Sequence, residues 1–498
     1  MMGLAPAKPL RQPLARLLAG FDVGDVPDAE IAQVTVDSRA ARPGSLFMAY
    51  QGTRAHGLDH ADDAVARGAR AVVWDRERAP VLDVPHVRVP DLAARASRIA
   101  ARAYGEPAQR LFVTGVTGTD GKTSCAWLLA RALDALGTRC GYLGTLGFGF
   151  TDDLAEASHT TPDAVAVQDW LARFVTADAA AVAFEVSSHA LDQHRVDGVA
   201  FDVAVLTQVG RDHLDYHGDA AAYAAAKRRL FTLDGLRYAI LNADDALGRA
   251  WLEELADAVT PVAYGSGDVS HLAAHYVGLR AVRARADGLE IEIDSHAGAA
   301  RIETGLIGRF NAANLAAVLA VLLVRGIPVA AAAAVLAEAR TVPGRMERIP
   351  GRADQPLVVV DYAHTPNALA QALAAVAEHA AGRVFCVFGC GGDRDSGKRA
   401  LMGEAAARGA DVLWLTDDNP RHEVPAAIVA DIRAGIADDV DVTVRHDRAE
   451  AIGGALAAAR DGDVVLIAGK GHETSQQIGD TRRAFDDRVV ARRALGAV

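Results

Sequence analysis

The chain has 498 residues, enough for about three domains at roughly 150 residues each and for more than one sizeable core, which excludes a peptide-sized binder or a disulfide-stapled mini-domain. At 51% hydrophobic and 23% charged it has the composition of a folded soluble protein. Its 52 basic against 64 acidic residues give a net charge of -12, so nucleic acid is not expected as a partner, while local basic pockets for anionic small molecules stay open.

In chain order, the N-terminus MMGLAPAKPLRQPLARLLAG breaks its apolar run with Lys8, Pro9, Arg11, Gln12, Pro13 and Arg16, so no secretory signal is expected there. The pattern over the first hundred residues predicts short strands at 33–36, 46–50, 71–74 and 84–89, then a helix after Asp91 to Tyr104. A boundary is expected near 105. From Leu111 the pattern is strand, glycine-rich turn and helix, followed by strands at 180–186, 203–207 and 238–242 with helices between them, the alternation of a mostly parallel sheet. The stretch 262–303 alternates in short pieces that suggest an antiparallel addition, and Gly305–Gly326 reads as a turn followed by a buried helix.

After Pro343 the strands 357–360, 383–388, 411–415, 442–445 and 464–468 alternate with helices, as in a doubly wound Rossmann-like domain. Ligands of such domains lie beyond the carboxyl ends of strands, and DYAHTP, GCGGDRDSGKR, TDDNPR and GKGHE each follow a strand directly. The longest apolar stretches, such as Leu315–Val324, reach about half the length that spans a membrane, so no membrane insertion is expected. Cys125, Cys140, Cys386 and Cys390 are too few and scattered for a disulfide framework and read as buried thiols of a cytoplasmic protein.

The strongest chemical signal is TGVTGTDGKT, Thr114–Thr123. Glycines 115, 118 and 121 let the backbone turn and aim amides at phosphate oxygens, Lys122 supplies positive charge, and Thr123 offers a hydroxyl to magnesium. Gly118, Thr119, Asp120, Gly121, Lys122 and Thr123 are therefore the expected nucleotide-phosphate contacts. Glu185 ends the apolar run AVAFE, where an ionised carboxylate is costly unless paired or bound to a cation, and is read as a magnesium ligand. RDHLDYHG, with Asp212, His213, Asp215 and His217, follows the strand VAVLT.

With these segments read, the sequence resembles the Mur ligase family, the ATP-dependent amino-acid ligases of peptidoglycan precursor synthesis. The resemblance runs through Asp37–Arg39 (DSR), Pro43–Ala49 (PGSLFMA), His56 and Gly57, TGTDGKT, Thr160–Asp163 (TTPD), Glu185–Arg195 (EVSSHALDQHR), RDHLDYHG and the C-terminal loops. It implies an α/β chain of three domains: an N-terminal uridine-nucleotide domain at 1–105, a central P-loop domain with a mostly parallel sheet at 106–342, and a C-terminal Rossmann-like amino-acid domain at 343–498. Ser38, Arg39 and His56 would contact the uridine nucleotide; Thr160, Thr161, Ser187, Gln193 and Arg195 would hold the muramoyl-peptide part of the acceptor. Thr123 and Glu185 would bind magnesium, His213 would belong to a second metal neighbourhood, and Lys227 matches a lysine that the family carries as a carbamate (N6-carboxylysine). On residues alone Lys227 reads as a surface lysine. Asn311 and Asn314 match adenine-side asparagines, and Arg345 and Asp361 match residues that approach ATP as the C-terminal domain closes. The family usually has asparagine where this chain has Asp120 and again where it has Gln208; Asp120 adds negative charge beside the phosphates.

Within the family, DNPR with arginine at its fourth position marks members that accept meso-2,6-diaminopimelate. Here it is Asp418, Asn419, Pro420 and Arg421. A guanidinium forms a two-pronged contact with a carboxylate, and diaminopimelate has a second carboxylate that lysine lacks. Arg394, Gly469 and Glu473 would complete the pocket, with Glu473 receiving the distal ammonium. The implied reaction joins that amino acid to UDP-N-acetylmuramoyl-L-alanyl-D-glutamate through an acyl phosphate, in a monomeric enzyme using ATP and Mg2+, with catalysis resting on Lys122, Glu185, His213 and Lys227. Competing readings are a lysine-adding ligase, a folylpolyglutamate synthetase, and a nucleotide-dependent switch that makes no amide.

Overall fold

A computed structural model describes residues 4–52, 55–157, 159–255, 257–352 and 354–496. Its contacts group into two compact units, Met1–Gly265 with Val269–Val277 and Ala320–Ile327, and Ser266–Asp268 with Gly278–Leu319 and Pro328–Val498. Among the described residues no helix is long and apolar enough to cross a membrane.

The first unit contains a four-stranded parallel sheet in sequence order, Gln33–Thr35, Ser45–Ala49, Ala69–Trp74 and His86–Arg88. The helix Leu92–Ala103 buries Leu92, Ala96, Ile99 and Ala100 in the same core as Leu46, Met48 and Val73. A second sheet in this unit includes parallel strands in the order Cys140–Gly144, Ala181–Glu185, Phe112–Thr117, Val203–Leu206, Tyr238–Asn242 and Thr260–Ser266. The middle strands carry continuous apolar runs because both of their faces are covered. Gly147–Phe150 and Asp153–Ala155 add antiparallel strands beyond Cys140–Gly144, a meander the sequence reading did not contain. Asp163, Ser187, Asp219 and Asp245 cap the helices that follow them by accepting backbone N–H bonds.

In the second unit, Gly288–Ser295 pairs antiparallel with Ala300–Thr304, as expected for the 262–303 stretch. The larger sheet runs Glu347–Ile349, Leu357–Asp361, Val464–Ala468, Val384–Phe388, Val412–Leu415 and Val442–Val444, all parallel except the first. Four neighbouring strands in that order are the ones followed by DYAHTP, GKGHE, GCGGDRDSGKR and TDDNPR, so the topology gathers four distant motifs at one edge. The added hairpin Ser475–Ile478 with Thr481–Ala484 was not expected. All four cysteines are buried, and burial pushes the Cys125 thiol up to about 12.

Candidate active site

The phosphate loop lies between the strand Phe112–Thr117 and the helix Lys122–Ala135. Gly118 has φ 150°, and a Cβ there would stand 1.8 Å from Thr207 Oγ1, so only glycine lets the loop pass under the segment that follows Val203–Leu206. Lys122 Nζ donates to the carbonyls of Gly118 (3.0 Å) and Thr119 (2.8 Å), folded back on the loop it serves.

Glu185 is fully buried at the end of the neighbouring strand. Its Oε2 accepts from Thr123 Oγ1 (2.8 Å) and Thr145 Oγ1 (3.1 Å), and its Oε1 from Thr145 N (2.9 Å) and the Tyr142 hydroxyl. Among the described residues no three His, Cys, Asp or Glu side chains converge as a protein-only metal site. Magnesium is typically held by one or two carboxylates plus phosphate and water, so the adjacent Thr123 hydroxyl and Glu185 carboxylate form a hard-oxygen pair that fits it.

Lys227 is 1% exposed, against the surface position its sequence context suggests. Its Nζ donates to Gly118 O (2.7 Å) and lies 4.2 Å from the centre of the Tyr223 ring. Burial, then repulsion from Lys122, lowers its pKa to about 7, so a large fraction is neutral amine at physiological pH. Tyr223 OH lies 3.1 Å from Thr119 Oγ1, tying the same helix to the loop. His213 is exposed, with left-handed φ 51°, and its ring centre is 4.8 Å from that of His189. His189 and His217, ring centres 5.4 Å apart, are both held below the ordinary histidine range, first by burial.

The expected acceptor residues form one network. Thr161 Oγ1 donates to Glu185 O (2.8 Å) and accepts from Ser187 N (3.1 Å); Arg195 donates to Thr161 O (2.8 Å) and Gln193 Oε1 (2.6 Å). Thr160 Oγ1 lies 3.1 Å from Thr145 Oγ1, which links it to the Glu185 carboxylate. The residues expected to contact the uridine nucleotide, Ser38, Arg39 and His56, are not joined in this way. Arg39 is 81% exposed and folds onto Asp37 at 2.7 Å, and both His56 nitrogens are used, by Asp75 (2.8 Å) and Leu58 N (3.0 Å).

In the second unit, Asn314 Nδ2 donates to Asn311 Oδ1 (3.0 Å) in the first turn of the helix Phe310–Val324. Asp361 accepts from the backbone amides of Met346 (2.7 Å) and Ala363 (2.8 Å), and the Arg345 guanidinium stacks 4.9 Å from the centre of the Tyr362 ring. Burial raises Asp361 above the usual carboxylate range.

The loops after the C-terminal strands share a closed hydrogen-bond network. Asn419 Nδ2 donates to Asp418 Oδ1 and Glu473 Oε2, both at 2.9 Å, and Lys470 Nζ donates to Glu473 Oε2 (2.9 Å) and Asn419 Oδ1 (3.2 Å). Burial pushes Glu473 up, but the bonds from Lys470 and Asn419 outweigh it and hold the carboxyl below its ordinary value. Gly469, φ 113°, leaves room for Asp418 Oδ2 only 2.6 Å from where a Cβ would stand. Arg421 Nη1 donates to Gly392 O (2.7 Å), and among the described residues no carboxylate pairs with its guanidinium. Arg394 is exposed, and both it and Arg421 lie beside Gly391.

Sequence reasoning missed the supports. Lys470 is fully buried inside the quoted GKGHE, and nothing in that short segment signals its burial. Tyr142 and Thr145, which cradle Glu185, carry no local signal. Buried Arg399 reaches Glu423 (2.9 Å) and Asp431 (2.8 Å), and Arg448 pairs with Asp487 (2.7 Å) where both are fully buried.

Three family models match consecutive parts of the chain: Mur ligase family, catalytic domain, over 30–104; Mur ligase middle domain over 116–322; and Mur ligase, glutamate ligase domain, over 344–471. The UDP-N-acetylmuramoyl-L-alanyl-D-glutamate--2,6-diaminopimelate ligase of Alkalilimnicola ehrlichii is 51% identical, covering 96% of this chain and 97% of the relative. The ligase of the same name from Pseudomonas aeruginosa is 49% identical over 94% and 96% of the two chains. A solved structure of a UDP-N-acetylmuramoyl-L-alanyl-D-glutamate--2,6-diaminopimelate ligase superposes with TM-score 0.78 at 34% identity, covering 98% of this chain and 99% of that one. Identity at this level along nearly the whole length, with the phosphate loop and the C-terminal motifs at adjacent strand ends, makes the chain a member of the Mur ligase family, with that family's N-terminal, middle ATP-binding and C-terminal architecture.

Proposed function

We propose that the chain is an ATP-dependent, amide-forming ligase that adds meso-2,6-diaminopimelate to UDP-N-acetylmuramoyl-L-alanyl-D-glutamate in peptidoglycan precursor synthesis, acting as a cytoplasmic monomer with domains at 1–105, 106–342 and 343–498. The observation that carries the amino-acid assignment is Arg421: a guanidinium without a carboxylate partner among the described residues, in a pocket whose acidic side is held by Asn419 and Lys470. That polarity suits a zwitterion whose distal end carries both a carboxylate and an ammonium. The names of the half-identical relatives support the same substrates.

In this reading the D-glutamyl carboxylate attacks the γ-phosphorus of ATP, ADP leaves, and the resulting acyl phosphate is attacked at carbon by the diaminopimelate amine, which expels inorganic phosphate as the amide forms. Lys122 and the loop amides offset charge on the transferring group, while the Thr161–Ser187–Gln193–Arg195 network orients the acceptor next to Glu185. Thr123 and Glu185 would hold Mg2+, which neutralises phosphate charge when bound. The neutral Lys227 amine adds to carbon dioxide and releases a proton, giving a carbamate whose oxygens, with His213, would face a second Mg2+. No protein nucleophile is required.

The test is product formation with ATP, magnesium and UDP-N-acetylmuramoyl-L-alanyl-D-glutamate, supplying meso-diaminopimelate or L-lysine separately and following the nucleotide by mass spectrometry. The expected result is product overwhelmingly with diaminopimelate, with one ADP per amide. Preferential lysine addition would overturn the specificity, and ATP hydrolysis without amide from either would return the switch reading.

A further inference from the structure

An acidic residue inside a phosphate loop is electrostatically misplaced, since loop amides and Lys122 gather a polyanion that a carboxylate repels. Asp120 is that residue, and it is exposed. The segment following the strand Val203–Leu206 grips this part of the loop. Thr207 Oγ1 donates to Asp120 O (2.6 Å), Thr119 N donates to Gln208 O (2.7 Å), and Gly210 N donates to Thr119 Oγ1 (2.8 Å). The Asp120 carboxylate is held there too, with Gln208 Nε2 donating to its Oδ2 at 2.7 Å.

Gln208 is a neutral partner. A lysine or arginine at that position would cancel the carboxylate charge but would also compete with Lys122 for phosphate; an amide fixes the carboxylate and leaves the cation set unchanged. We infer that Gln208 is a positioning residue for the nucleotide, its amide pinning the Asp120 carboxylate on the 207–210 side of the loop so that the acidic charge does not swing toward the bound phosphates. The inference rests on reading Gly118–Thr123 as the ATP-phosphate loop.

The test is a double-mutant cycle on the full chain, measuring magnesium-ATP dissociation constants by calorimetry without amino acid, at low and high salt, beside KM and kcat. Gln208→Ala is expected to weaken ATP binding by about fivefold at low salt, less at high salt, with kcat nearly unchanged, the scale of one poorly screened charge near a phosphate. Gln208→Glu places two carboxylates together and should weaken binding by about tenfold or more. Asp120→Asn keeps the loop amide and removes only the side-chain charge, so it should bind ATP tighter than the native chain, and in that background either change at 208 should move the constant by less than about twofold. Equal losses in both backgrounds would overturn the inference, because Gln208 would then act through loop shape rather than through the Asp120 charge; so would weaker binding in Asp120→Asn alone. A native chain that binds no ATP would instead defeat the phosphate-loop reading itself, a result separate from any pattern in the cycle.

Discussion

Around the phosphate loop, charge is handled by main-chain groups and neutral partners: Lys122 and Lys227 both donate to the Gly118 carbonyl, Glu185 is surrounded by hydroxyls and an amide, and Asp120 is met by Gln208. Around the loops after the C-terminal strands it is handled by ion pairs whose cations are buried: Arg448 with Asp487, where both are buried, and Arg399 with Glu423 and Asp431 and Lys470 with Glu473, where the carboxylates reach toward solvent. The loop leaves its charges uncompensated because magnesium and phosphate are to balance them. The second set is balanced within the chain, which suits the proposed ligand, a zwitterion that carries both signs. The first region should therefore lose activity before stability when altered, and the second should lose stability or selectivity.

The largest effect is expected at Glu185. Glu185→Gln keeps the side-chain shape but removes the charge beside Thr123, and kcat should fall about a thousandfold with little change in melting temperature, measured by steady-state kinetics and calorimetry. A variant that unfolds instead would place Glu185 with the structural pairs. Arg448→Met leaves Asp487 buried without a partner and should cost about 3–5 kcal/mol in denaturant unfolding. A small cost would mean that the pair contributes little and that the contrast between the regions fails there.

Lys227 sharpens the first half of the comparison through pH. With its folded pKa lowered to about 7 by burial, the folded chain binds fewer protons than the unfolded one from there up to the ordinary lysine range, so stability rises with pH across that window. On the proposed carbamate, labelled bicarbonate should give a carbamate carbon resonance that fades below neutrality and is absent in Lys227→Arg. A native chain without that resonance, active in bicarbonate-free buffer, would remove the carbamate from the account.

The smallest effect belongs to His422, whose bonds to Asp393 (2.7 Å), then to Asp480 (3.1 Å), raise it above the ordinary histidine value. A raised pKa means that this bridge from the TDDNPR loop to the GCGGDRDSGKR loop and to the turn of the Ser475–Ala484 hairpin is fully present below about pH 6.5 and lost as pH climbs through the raised value. KM for diaminopimelate should rise by less than about threefold over that climb, and His422→Gln should flatten the profile.

The two regions also differed in how far they could be read in advance. The loop was legible because glycine spacing, Lys122 and Thr123 are contiguous and sit between a strand and a helix. Glu185 was legible because a carboxylate ending an apolar run needs a partner. The four C-terminal motifs were legible as strand-end segments, although only the sheet order shows that their strands are neighbours. What escaped were contacts between distant residues: Tyr142 on Glu185 is 43 positions away, Asp120 and Gln208 are 88 apart, and Lys470 looked like any lysine until its loop folded under Asn419. The antiparallel meander after Cys140–Gly144 carries a weak strand signal, since two of the four residues of GFGF are glycine.

The most direct test of the account is the ratio of kcat/KM for meso-diaminopimelate to that for L-lysine, in the native chain and in Arg421→Ala. If Arg421 reads the second carboxylate, the native ratio is large and falls by about a hundredfold in the variant, through loss of diaminopimelate turnover rather than gain of lysine turnover. A ratio that survives the removal of Arg421 would contradict the assignment, since the selectivity would then come from elsewhere in the pocket.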